Sequence, residues 1–482
     1  GSLKAEHGTG RNMAPFVELE WGADGYRLVQ QIKALFDPHG ILNPGVIVNS
    51  DSSAHLKNLK PLPAADPLVD KCIECGFCEA VCPSKNLSLT PRQRIVLYRE
   101  LSRRKAENDT TLDSLQKVFD YQGVDTCAAT GLCEQRCPVG INTGEMMVKL
   151  RSARYAKFQP IALWTANHFS GTTRTVALGL NAAHSTRKLV GNKIIASVNR
   201  SIRKVTANKL PLWFPELPAA NSYRLPQKLE QAKATTFPEW DEKKAQQKVV
   251  YFPSCASRTL GQSPQASDKR SLTEVTMSVL AKAGFEVVIP TELNELCCGL
   301  PYHSKGFSSE TAAKSAELED RLWQASEQGR WPVLMDTSPC AKLSVDSFKQ
   351  NLKIYEPVAF VLEHALERLP LTPIDETVML HITCSSQRMG LADNMLTLAK
   401  CCATSVIVPE HISCCGFAGD KGFTTPELNA SALASLKQQV PNNCTRGVSN
   451  SRTCELGLSH HSGINYESIL YLVDEAAQSY TP

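Results

Sequence analysis

The sequence predicts a multidomain α + α/β chain, a helical segment with two cysteine loops followed by two duplicated α/β units. Three observations carry this reading. Seven cysteines fall in two spaced loops between Cys72 and Cys137, with a polar, helix-forming insert between them. From residue 248 onward, short apolar strands alternate with helical patterns. Comparable cysteines in that region recur 114–129 positions apart, which marks an internal duplication.

The first loop reads Cys72-Ile-Glu-Cys75-Gly-Phe-Cys78-Glu-Ala-Val-Cys82-Pro83. The second reads Cys127-Ala-Ala-Thr-Gly-Leu-Cys133-Glu-Gln-Arg-Cys137-Pro138. Thiolates at spacing two, two and three, closed by a proline, are the pattern of iron–sulfur ligation. A tight loop converges three sulfurs on one cubane, and the fourth cysteine is carried away to the other cluster. On that rule Cys72, Cys75, Cys78 and Cys137 hold a 4Fe-4S cluster, while Cys82, Cys127 and Cys133 share a second. Zinc is the alternative for paired C-x-x-C motifs, but it needs only four thiolates and gives no reason for two Cys-Pro endings. Thr130 stands where the second loop should have its middle cysteine, and a hydroxyl replaces thiolate poorly on soft iron. The second cluster is therefore expected to be 3Fe-4S, or 4Fe-4S with a ligand from outside the motif.

At 482 residues the chain should fold as two to four domains. It has no run of eighteen apolar residues, and its first residues lack the apolar core of a secretory leader. Eighteen cysteines could suggest disulfides, but their grouping argues for metal clusters in a reducing cytosol. The net charge of +4 hides an asymmetry: no acidic residue lies between Glu145 and Glu216, where twelve basic ones do. The rest of the chain carries 40 basic against 48 acidic side chains.

In order, residues 1–50 are too poor in large apolar side chains to bury a core of their own. A helical pattern with Tyr26, Val29, Ile32, Leu35 and Phe36 on one face stops at the breakers Asp37-Pro38-His39-Gly40. Residues 51–68 form a linker, 69–150 the cluster segment, and 151–247 a basic helical connector and linker. The basic stretch, with Trp164, Phe169, Trp213 and Phe214, is expected to touch an anionic membrane surface or to dock on the acidic remainder. No nucleic-acid reading motif is present. In 248–370 the strands are Lys248–Phe252, Phe285–Ile289 and Val333–Met335, with a helix Leu272–Ala283. In 371–482 they are Val378–Ile382 and Ser405–Val408. Cys255, Cys297, Cys298 and Cys340 sit at strand ends of the first unit, and Cys384, Cys414 and Cys415 at those of the second, whose last loop carries Cys454. Cys401, Cys402 and Cys444 fit no motif and read as ordinary buried residues. His303, His460 and His461 fall near the Cys-Cys-Gly loops.

The segment "AEHGTGRN" followed by "ALFDPHGILNPG" resembles the C-terminus of the FAD-linked oxidase domain of D-2-hydroxyacid dehydrogenases, the D-lactate, glycolate and D-2-hydroxyglutarate enzymes. The resemblance implies that Glu6 helps bind a divalent metal that holds the substrate. It implies that His7 takes the hydroxyl proton as hydride passes to the flavin, and that Asn43 lies near the FAD. The flavin-binding domain of that family is not in the sequence, so a missing N-terminal FAD-binding domain is the implied first partner. Residues 69–150 resemble the helical ferredoxin domain of succinate dehydrogenase iron–sulfur subunits. The two later units resemble the Cys-Cys-Gly domains of heterodisulfide reductase, glycolate oxidase and anaerobic glycerol-3-phosphate dehydrogenase iron–sulfur subunits. Where heterodisulfide reductase has a fifth cysteine, this chain has Thr337 and Ser451, so each unit keeps four thiols for a further iron–sulfur site. The function implied is electron transfer from the flavin of a D-2-hydroxyacid dehydrogenase to a quinone or other carrier. The location implied is the cytoplasm, with peripheral contact on the inner face of the membrane. The alternatives are a heterodisulfide-reductase-like enzyme acting at the Cys-Cys-Gly sites and a zinc-stabilised binding module.

Overall fold

The computed structural model describes residues 10–58, 62–206, 211–225 and 247–477, and it divides into two compact units, residues 1–64 and 65–482.

In the first unit the helix Val17–Phe36 bends at Gly22 (φ 75°) and ends at Asp37. The Asp37 carboxylate accepts from Lys33 Nζ at 2.5 Å and from the Ile41 and Leu42 amides at 2.9 Å each, which closes the breaker turn. Leu35, Phe36 and Ile41 are about three-quarters exposed, in keeping with a segment too small to build a core of its own. Asn43 is exposed and left-handed (φ 42°). Glu6 and His7 lie outside the described residues.

The second unit begins with Ala65, and Asp66 is already buried against Lys149. Two helices, Pro91–Ala106 and Leu112–Phe119, lie between the cysteine loops, and a third, Thr143–Tyr155, follows the second loop. The first starts on a capping box in which the Thr90 and Gln93 side chains satisfy each other's amides. Ile95, Leu101, Phe119, Ile141, Met146 and Met147 form the core that holds the loops together. The helices Gln159–Asn167, Phe169–Val190 and Asn192–Val205 continue the chain.

Two four-stranded sheets follow. The first comprises β1 (Gln247–Phe252), β2 (Phe285–Val288), β3 (Val333–Met335) and β4 (Ile354–Tyr355) in the order β2-β1-β3-β4. The second comprises β5 (Ile374–Leu380), β6 (Ala403–Ile407), β7 (Arg446–Ser449) and β8 (Asn465–Ser468) in the order β6-β5-β7-β8. All pairings are parallel, so each sheet directs its strand ends to one edge. One apolar core runs from Val249 and Phe285 through the helices Leu272–Lys282 and Ile469–Ala476 to Val378 and Val448. The strands β4, β7 and β8 are additions to the sequence reading. Cys454 lies not in a loop, as expected, but in the first turn of the helix Arg452–Ser462. No helix among the described residues is long and apolar enough to cross a membrane.

Candidate metal centres and the cavity they share

The two loops of the cluster segment turn through left-handed residues: Glu74 (φ 58°) and Gly76 (φ 87°) in the first, Ala129 (φ 50°) and Gly131 (φ 74°) in the second. This backbone aims amides at sulfur. The Glu74 N–H donates to Cys72 Sγ and the Ala129 N–H to Cys127 Sγ, each at 3.4 Å. Buried arginines fix the loops from behind. Arg99 donates to the Asp70 and Cys72 carbonyls at 3.0 and 3.2 Å, and Arg151 to the Val124 and Cys127 carbonyls at 2.8 and 2.5 Å.

Burial pushes the Cys72 thiol up, and Cys137 stands close enough to add to the effect. Burial pushes Cys78 up to about 12, with Cys133 and Cys137 contributing. Cys133 is raised by burial, with Cys127 and Cys82 beside it. Cys75 is half-buried in the same loop as Cys72 and Cys78. Cysteines grouped in two loops, with backbone amides aimed at their sulfurs to stabilise thiolate, are the donor set that a thiolate-ligated iron cluster requires. The residues fit that group. The Thr130 hydroxyl accepts the Leu132 amide at 3.4 Å.

Each Cys-Cys-Gly turn depends on its glycine. Gly299 has φ 89°, and a Cβ there would lie 2.8 Å from the Thr311 carbonyl oxygen; Gly416 has φ 71°, and its Cβ would lie 2.8 Å from the Leu428 carbonyl oxygen. Only glycine lets the adjacent helix pack this close. In the first unit Cys255 contacts Cys297, and Cys298 Sγ lies 3.3 Å from Cys340 Sγ. In the second, Cys384, Cys414, Cys415 and Cys454 form a contiguous chain. Amides again face sulfur: Gly299 to Cys297 (3.4 Å), Gly416 to Cys414 (3.3 Å) and Phe417 to Cys415 (3.4 Å). Cys340 and Cys454 sit in the first turns of the helices Ser338–Ser347 and Arg452–Ser462, where the positive end of the dipole favours thiolate. The Thr337 hydroxyl donates to Ser254 and Asp336 at 2.8 Å, so it is engaged away from the thiols. Cys402 and Cys444 are buried in apolar clusters.

One residue was missed in the sequence. His381, just past the end of β5, lies against the second set, within 4.8 Å of the Cys415 and Cys454 sulfurs, and hydrogen bonding from Cys415 holds the Cys454 thiol down against the opposing effect of burial. The signal was available, since a lone polar residue interrupts the apolar run Val378-Met-Leu-His-Ile382.

The sets meet at one cavity of about 1300 Å³, lined by Thr130 of the second loop, by Cys255, Cys298 and Cys340, and by Cys384, Cys414, Cys415 and Cys454. Lys305 and Asp420, paired with each other, and Arg388 stand at its wall. His303 also lines it. His460 instead hydrogen-bonds Glu216 at 3.0 Å and packs edge-on against Phe214.

Comparison with known proteins gives three family matches. Residues 1–47 match the C-terminal domain of FAD linked oxidases, 68–141 the 4Fe-4S dicluster domain, and 249–341 the cysteine-rich domain named CCG. The chain is similar to the glycolate oxidase iron-sulfur subunit of Escherichia coli (strain K12), 25% identical over 386 residues, covering 76% of this chain and 83% of that protein. It is also similar to glycolate oxidase subunit GlcD of Bacillus subtilis (strain 168), 38% identical over 52 residues, 11% of each chain.

Proposed function

We propose that this chain, which joins segments matching the end of an FAD-linked oxidase domain, a 4Fe-4S dicluster domain and a cysteine-rich domain, is the electron-transfer part of an FAD-dependent D-2-hydroxyacid dehydrogenase. The substrate class is that of D-lactate or D-2-hydroxyglutarate. The observation that carries the reading is the common cavity, onto which Thr130 of the dicluster loop and both Cys-Cys-Gly cysteine sets open.

Iron–sulfur clusters, when bound, supply one-electron carriers. Cys72, Cys75, Cys78 and Cys137 would hold one four-iron cluster. Cys82, Cys127 and Cys133 would hold the other, with Thr130 leaving it a three-iron cluster. Cys255, Cys297, Cys298 and Cys340, and then Cys384, Cys414, Cys415 and Cys454, would hold metal in the two Cys-Cys-Gly units. The buried Arg94, Arg99 and Arg151 orient these loops and offset the negative charge of thiolates away from water. Glu6 and His7 would serve substrate, divalent metal and proton, and Asn43 would face FAD, in a pocket completed by an FAD-binding partner domain. Electrons would leave to a quinone or another carrier. Iron and sulfide analysis with EPR on anaerobically purified chain tests this reading, which expects two distinguishable dicluster signals; a protein without iron contradicts it.

A second reading concerns location. The helix Asn192–Val205 exposes Ile194, Val198, Ile202 and Val205 along one stripe, flanked by exposed Lys193, Arg200 and Lys204. A basic amphipathic face of this kind favours anionic lipid, which supports peripheral docking on the cytoplasmic face of a membrane.

A further inference from the structure

The two Cys-Cys-Gly sites carry the same four cysteines but differ in what faces them. β1 leads through Phe252-Pro253-Ser254 into Cys255, and Phe252 packs in an apolar cluster with Cys298 and Cys340. β5 leads through His381-Ile382-Thr383 into Cys384, so His381 occupies the place of Phe252. His381 is 2% exposed, and its Nε2 has no hydrogen-bond partner among the described residues. An orphaned buried nitrogen is costly unless something satisfies it. A ring nitrogen of His381 and the sulfurs of Cys415 and Cys454 all lie within 4.8 Å of one another.

The charge around the two sites differs as well. Arg258, three residues after Cys255, is half-buried beside Cys255 and Cys297 and donates to the Leu293 and Leu296 carbonyls. The matching residue of the second unit is Gln387, whose amide is spent on the Ile382 and Ser413 carbonyls at 2.9 and 2.8 Å. The next residue, Arg388, turns toward Glu134 at 3.3 Å, and Arg452 is paired with Glu455 at 2.6 Å. The first site thus has a cation to offset an all-thiolate centre, whereas the second has an imidazole nitrogen facing its sulfurs.

We propose that the second unit holds a single divalent ion of the zinc type, bound by His381, Cys415 and Cys454, with Cys414 as the fourth ligand. Zn–S distances near 2.3 Å and Zn–N distances near 2.0–2.1 Å put tetrahedral donors roughly 3.5–3.8 Å apart, so the donors found together need to close by only about 1 Å. Replacing one thiolate by imidazole also lowers the net negative charge of a buried site at which Arg388 and Arg452 are already paired with Glu134 and Glu455. The second unit would then anchor structure, and the first unit alone would continue the electron route.

The test is metal analysis with zinc-edge X-ray absorption on anaerobically purified full chain. The expected result is about one zinc per chain with a shell of three sulfurs and one nitrogen. His381→Phe, which copies the first unit, should lose most of that zinc and leave iron unchanged. His381→Cys should keep zinc and convert the shell to sulfur alone, a readout that stands even where His381→Phe fails to fold. Absence of zinc from the unmodified chain, a shell without nitrogen, or full zinc retention in His381→Phe overturns the proposal.

Discussion

Arg94 Nη1 lies 3.6 Å from Cys82 Sγ, and Arg94 is 1% exposed. Its other nitrogens donate to the Gly123 carbonyl (2.7 Å), Ser84 Oγ (2.9 Å) and Thr126 Oγ1 (3.3 Å), so the guanidinium cannot swing away from the sulfur.

A fixed cation beside a cluster ligand favours the more negative, reduced state. Arg94→Gln should therefore lower the midpoint potential of the cluster held by Cys82. The expected fall is about 60 mV or more, since ~1.4 kcal/mol corresponds to about 59 mV for one electron and hydrogen bonds to charged groups contribute about 1.5–3 kcal/mol. Arg94→Lys keeps the charge and should shift the potential less. EPR-monitored redox titration measures both, and an unchanged potential in Arg94→Gln contradicts the role.

Thr130 makes one local contact, a hydrogen bond from the Leu132 amide, and faces the cavity. Oxidised protein should show the sharp EPR signal of a three-iron cluster. Thr130→Cys, reconstituted with iron and sulfide, should abolish that signal by completing a cubane. Mössbauer spectra of the unmodified chain that contain four-iron clusters alone would rule this out.

Binding to liposomes should rise with anionic lipid and fall with salt, because screening shortens the field to roughly 8 Å at physiological ionic strength. Reversal of charge at Lys193, Arg200 and Lys204 should reduce co-sedimentation several-fold. Arg203 is the wrong residue to reverse: it is buried and donates to the Phe423 carbonyl at 3.0 Å. Binding indifferent to lipid charge and to salt removes the membrane reading.

Burial raises the Glu356 carboxyl from 4.5 to about 7, against hydrogen bonds from the Ala359 amide and Asn450. A carboxyl whose folded value lies above its unfolded value favours the fold below the unfolded value and loses that contribution as pH rises through the folded one. Stability should therefore decline between pH 4.5 and about 7, by on the order of 3 kcal/mol from this group. Glu356→Gln should flatten that slope in urea titrations across pH. An undiminished slope would assign it to other buried carboxyls, such as Glu455, which burial also raises to about 7.

What the sequence made legible follows from where information is local. Cysteine spacing and the strands β1, β3 and β5 were readable because ligand loops and buried parallel strands are written in contiguous residues. β7 was not: Arg446-Gly-Val-Ser449 carries an arginine and a glycine, and only its pairing with β5 and β8 makes it a strand. The basic stretch was legible as charge but not as placement. Arg151 and Arg203 turn inward to cap carbonyls, which a count of charges cannot distinguish from a solvated face. His381 escaped because one polar residue in an apolar strand reads as an ordinary interruption until its neighbours are known.

The most direct test of the central claim is anaerobic stopped-flow on the complete enzyme, this chain together with its flavin-binding portion. Mixing with D-lactate or D-2-hydroxyglutarate should reduce the flavin first and then bleach the visible iron–sulfur absorbance. Replacement of Cys78 and Cys133 by Ser should leave the flavin step intact and abolish the second phase. Flavin reduction with no bleaching in the unmodified enzyme would contradict the account.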